Sequence, residues 1–153
     1  MTPAEEKFQH QVRACLHALS PELDPVLVKL VEHTYPPEVV AIAFEVFSDG
    51  FTQVFPVRCF FMDENNCEFF VYEGGKATYP SPVDPDLLSI ENVYPDTLEA
   101  ELEADSPESD PWHIATEELC DWFLARWRAA RGATFRLAAT IAHHGSGTEL
   151  NLM

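Results

Sequence analysis

The chain has 153 residues, 46% hydrophobic and 23% charged, the composition of a single globular domain over residues 1–153. Asp plus Glu number 26 against nine Lys plus Arg, a formal net charge of -17. Such a field argues against nucleic acid or anionic membrane as a partner and favours a basic protein. The absence of any uninterrupted apolar run of about 18 residues predicts no membrane span.

Met1-Thr2-Pro3-Ala4-Glu5-Glu6 has neither the basic n-region nor the apolar h-region of a secretory signal. Cys15, Cys59, Cys67 and Cys120 form no C-x-x-C pair. A reducing, cytoplasmic setting is therefore expected. A chain of this length can hold a core without disulfides or a structural metal, and with no P-loop, dinucleotide fingerprint or H-E-x-x-H in the sequence no cofactor is expected.

Thr2, Pro3 and Glu5 read as N-cap, first helical position and capping box. The helix they start should run to about Leu19, with Phe8, Val12, Cys15, Leu16 and Leu19 on one stripe and Glu6, His10, Arg13 and His17 opposite. Ser20-Pro21 should end it. Asp24-Pro25 should cap a second helix carrying Val26, Leu27, Leu30 and Val31, closed by Pro36 and Pro37.

From Val39 the period becomes two: Val40, Ile42, Phe44 and Val46 alternate with Val39, Ala41, Ala43 and Glu45. Asp49-Gly50 marks a hairpin turn, residues 51–62 a return strand, Asp63-Glu64-Asn65-Asn66 a second turn, and residues 67–72 a third strand before Gly74-Gly75. This predicts an antiparallel meander with a bulge or an exposed edge at Pro56, which cannot donate to a ladder.

Six prolines between Pro80 and Pro111 make residues 77–111 read as a long acidic loop with at most a short helix near 96–104, anchored by Leu98 and Leu102. Asp110-Pro111 caps a helix through Arg131, with Leu119, Trp122, Phe123 and Trp127 inward and Gly132 beyond its end. Phe135, Leu137, Ala139 and Ile141 alternate as a fourth strand. A turn at His143-His144-Gly145-Ser146-Gly147 leads to a fifth, containing Leu150 and Leu152. The expected fold is α+β, in the order α-α-β-β-β-loop-α-β-β, with one mainly antiparallel five-stranded sheet and the helices on one face.

Thirteen acidic residues and no Lys or Arg lie between Ala77 and Ala125. Asp96, Glu99, Glu101, Glu103, Asp105, Glu108 and Asp110, followed by Trp112, read as a partner-binding patch: carboxylates speed association with a basic surface, and an aromatic at a charged rim is a common binding anchor. The plainer reading is a solvated acidic loop, with Trp112 anchoring the helix that follows. His143-His144 is the most enzyme-like feature. On a strand, however, the two rings point to opposite faces, and Gly145-Ser146-Gly147 lacks the spacing of a nucleophile elbow.

Three functions are compatible with these residues. The first is a binding protein that caps a basic surface, as an immunity protein or antitoxin caps a toxin. The second is a secretion-type chaperone or adaptor: the segment order resembles that of type III secretion chaperones, although their closing helix has no counterpart here. The third is a small hydrolase using His113, His143 or His144 with a carboxylate.

Overall fold

The computed structural model describes residues 1–47, 55–88, 93–131, 135–144 and 149–153. Asp49-Gly50, Gly132 and Gly145-Ser146-Gly147 lie outside the described residues.

Helix α1 (Pro3–Ala18) starts as its capping box requires, with the Thr2 side chain accepting from the Glu5 N–H and the Glu5 carboxylate accepting from the Thr2 N–H. Phe8, Val12 and Leu16 are buried, and Glu6, His10, Arg13 and His17 are exposed. Helix α2 (Ser20–Glu32) follows after a single hinge residue, Leu19. Ser20 and Pro21 therefore end one helix and begin the next, and Asp24-Pro25 is not a cap: Pro25 lies inside α2.

The early start works because Pro21 occupies the first turn, where its missing N–H costs nothing, while the Leu19 carbonyl accepts from Glu22 and Leu23. Pro25 removes one bond further on. Burial of Leu23, Leu27 and Leu30 offsets that loss.

Strand β1 (Ala41–Val46) buries Ile42, Phe44 and Val46, whereas Val40, just before it, is exposed. Strand β2 (Val57–Met62) pairs with it antiparallel and buries Val57, Cys59 and Phe61. Pro56 immediately precedes β2, and its carbonyl accepts from the Phe47 N–H.

The third strand of the expected meander is corrected. Asp63 does turn the chain, its Oδ1 accepting from the N–H groups of Asn65 and Cys67, but pairing back onto β2 amounts to one bridge, between Met62 and Glu68. The chain then forms a separate two-stranded hairpin, β3 (Val71–Glu73) with β4 (Lys76–Thr78). Gly74 and Gly75, at φ 58° and 78°, make its two-residue turn, a backbone shape that glycine adopts without strain.

The place beside β2 is taken by β5 (Asp86–Leu88), from the middle of the expected loop, with a register shift at Val57/Arg58. Later in that segment lies helix α3 (Asp96–Asp105), as anticipated, with Leu102 buried and Leu98 half-buried.

Helix α4 (Pro111–Arg131) runs across the sheet, and strands β6 (Ala138–His143) and β7 (Glu149–Asn151) complete the order β5-β2-β1-β6-β7. Three of the four pairings are antiparallel, and β1 with β6 is parallel. The sheet is thus mixed, because α4 carries the chain back before β6 begins, as a crossover to a parallel strand must. Phe123 and Trp127 of α4 meet Phe44 of β1 at ring distances of 4.7 Å and 5.2 Å, and α1 and α2 pack on α4.

Trp127 is fully buried, whereas Trp122 is half-buried with its Nε1 donating to Ser20 Oγ at 2.9 Å. Trp127→Ala should therefore lower the unfolding free energy by about 3–5 kcal/mol, and Trp122→Ala by distinctly less. Urea denaturation of the two variants against the parent checks the ranking.

Candidate partner-binding surface

Buried residues frame the acidic segment. Val93 and Tyr94 are buried at one end and Pro111 at the other. Tyr94 packs edge-on against Phe8 at 4.9 Å, and its hydroxyl donates to Glu99 Oε2 at 3.1 Å. Burial, and secondarily the Glu99 charge, push this phenol upward, so it stays a neutral donor.

At about 3.6 residues per turn, Leu98 and Leu102 share the inner face of α3 and its carboxylates divide between two flanks. Asp96, Glu99 and Glu103 lie on one side. Glu101 and Asp105 lie on the other, lining a shallow groove with Ala4, Lys7 and Phe8 of α1. The ridge between the flanks is Ala100 and Ala104, both exposed.

The seven carboxylates differ in what they already do. Glu99 holds Tyr94, and Glu101 accepts from Lys7 Nζ at 3.2 Å across two exposed side chains. Asp110 caps α4, its Oδ1 accepting from the His113 N–H at 3.1 Å. Asp96, Glu103, Asp105 and Glu108 are exposed and have no ion-pair partner among the described residues. Trp112 is half-buried and packs against the core, its indole N–H without a partner among the described residues. Its placement is that of a helix anchor at the edge of the patch.

Much of the chain's scarce basic charge is spent internally. Arg13 donates through Nε and one terminal nitrogen to Glu118, both at 2.9 Å, and Glu118 is only 4% exposed. Arg126 pairs with Asp24 and Arg58 with Asp86. Asp121, one turn beyond Glu117 and close to Glu118 on α4, is raised from its ordinary value, first by partial burial and then by those two neighbours.

The histidines do not converge. Strand alternation puts His143 on the face of Ala139 and Ile141, with Nε2 unpartnered among the described residues. His144 lies beyond the strand, stacked on Phe47 at 4.4 Å, with Nδ1 3.2 Å from Glu45 Oε2. His113 sits on α4 facing Glu117 at 3.3 Å. The His144 side chain is 60% exposed, so its carboxylate pair operates in water rather than in a desolvated cleft.

No group of three or more potential metal ligands occurs among the described residues. The cysteines are free, and burial pushes the Cys59 thiol up to about 12 and the Cys120 thiol up to about 11. Neither is a thiolate at neutral pH.

The outer face of the sheet was not legible as a constellation. Register places Asp86, Arg58, Glu45, Ala142 and Glu149 in one row across all five strands. Arg58 there donates to Asp86 at 3.1 Å and to the Tyr79 hydroxyl at 2.8 Å, with the Phe60 and Tyr79 rings beside its guanidinium. Residues so far apart in sequence come together only through strand pairing.

Comparison with protein-family models, curated proteins and solved structures finds no match to this chain. Among the described residues, no helix is long and apolar enough to cross a membrane.

Asp121 gives a pH prediction. Its raised folded-state value means the native protein binds that proton more readily than the unfolded chain, so this group's contribution falls as pH rises from the ordinary 3.8 through the raised value, and it is unfavourable above that window. Asp121→Asn should accordingly raise the melting temperature at pH 7, and the gain should vanish near pH 3. A gain of equal size at both pH values would contradict the assignment.

Proposed function

We propose that the protein is an acidic protein-binding module that caps a basic surface of a partner, in the manner of an immunity protein or antitoxin that blocks a toxin. The observation that carries this reading is the acid in the last turn of α3, set against the helix's own electrostatics, whereas Asp96 and Glu99 in the first turn accord with them. The last turn contains Glu103 and Asp105 and no basic residue. Carboxylates there face the negative end of the helix dipole, each at a cost of about 0.3–1 kcal/mol. Glu99/Glu103 and Glu101/Asp105 add like-charge neighbours at i,i+4, at about 0.2–0.5 kcal/mol a pair.

Folding alone does not ask for this arrangement. A cationic partner surface would reverse its sign, and the exposed Ala100–Ala104 ridge allows close approach between the two rows of carboxylates. The net charge of -17 supports the same partner chemistry at long range, and supports the exclusion of nucleic acid and anionic membrane. The four free cysteines support a reducing, cytoplasmic setting.

Affinity capture from the native cell lysate, with the parent chain and a Glu103→Gln, Asp105→Asn, Glu108→Gln variant side by side, tests the reading. A stoichiometric basic protein should be retained by the parent at low salt, released at high salt, and retained several-fold less by the variant. Equal retention by both chains would remove α3 from the interface. Failure to capture any basic protein would count against the capping role itself.

A further inference from the structure

Between the buried Tyr94 and the buried Pro111 run residues 95–110, of which Leu102 alone is buried. Their helix, α3, packs on α1, whereas α1 and α2 both pack on α4 and α4 packs on the sheet. The attachment to α1 is slight. It comprises Leu98 and Leu102 against Ala4 and Phe8, the exposed Lys7–Glu101 pair, and the Ser109 hydroxyl donating to Glu5 Oε1 at 2.8 Å.

Apart from the contacts of Glu99, among them the bond from the Tyr94 hydroxyl, little holds the helix locally either. Its N-cap is Pro95, which offers no side-chain bond, and its last turn has acid where base would help. Segments with few buried apolar contacts are the ones that open without global unfolding.

We propose that residues 95–110 form a charge-loaded strap that swings off α1 between hinges at Tyr94 and Pro111 while the sheet and the other three helices stay folded. The hinges hold because Val93, Tyr94 and Pro111 are themselves anchored in the core. Opening releases Leu102 and uncovers Phe8, which is 2% exposed when the strap is closed. Opening unwinds α3, which relieves the i,i+4 repulsion of Glu99/Glu103 and Glu101/Asp105 and the unfavourable last turn at the cost of the Tyr94–Glu99 and Lys7–Glu101 contacts, so neutralising that charge closes the strap and charge controls access to the apolar surface beneath it.

Hydrogen–deuterium exchange of the full chain, read by mass spectrometry and corrected for intrinsic rates, tests this. Amides of α3 should exchange through openings at least about tenfold more frequent than those of the buried face of α4. The double variant Glu103→Gln, Asp105→Asn should slow α3 exchange about three- to tenfold and leave α4 unchanged. Protection of α3 equal to that of α4 would overturn the strap, and an unchanged α3 rate in the variant would overturn its control by charge. Both outcomes are read without any partner present, so they are independent of the capping role.

Discussion

The five-stranded sheet and the helix that covers it are placed by reference to β1. The strand pairs with β2 on one side and β6 on the other, and its middle residue on the inner face, Phe44, sits under Phe123 and Trp127 of α4. Side chains alternate along a strand, so a one-residue slip would turn Ile42, Phe44 and Val46 outward together. That constraint fixes the face on which α4 lies, and through α4 the seats of α1 and α2. Fully burying one large apolar side chain contributes roughly 1.5–3 kcal/mol, far more than any exposed ion pair in the molecule.

Because the core is secured in this way, the acid can be placed where stability is little affected. The strongly charged stretch from Asp96 to Asp110 is held by its ends and by Leu102, and most of its carboxylates point to water. The basic residues work differently. Arg13, Arg58 and Arg126 stitch helices and strands together, Arg13 by satisfying a buried carboxylate that would otherwise be costly. Three of the nine cations thus serve the architecture, while most carboxylates between Asp96 and Asp110 face outward.

Much of this was legible from local pattern. The capping box at Thr2, the period-two run through Phe44 and the apolar stripe of α4 each state their element within a few residues, and α+β with a mainly antiparallel sheet follows from their order. What was not legible is non-local or too short to show a period. Asp86–Leu88 is three residues directly after Pro85 and carries no alternation, whereas residues 67–72 read as the strand beside β2. Gly74-Gly75 reads as the end of a strand, yet it is the turn of a second hairpin. Pro25 reads as a helix start, although Pro21 takes that role. At the candidate surface, the acidic run was visible as composition. Its division into two flanks, the bond from Tyr94 to Glu99 and the pairing of Arg13 with Glu118 depend on how helices dock.

The proposed role of the acidic segment is the recognition of a basic protein through long-range charge. The most direct measurement is the association rate with the captured partner, by stopped flow, from about 0.01 M to 1 M salt, over which the screening length falls from roughly 30 Å to 3 Å. The rate should drop steeply across that range while dissociation changes far less. An association rate indifferent to salt would contradict it.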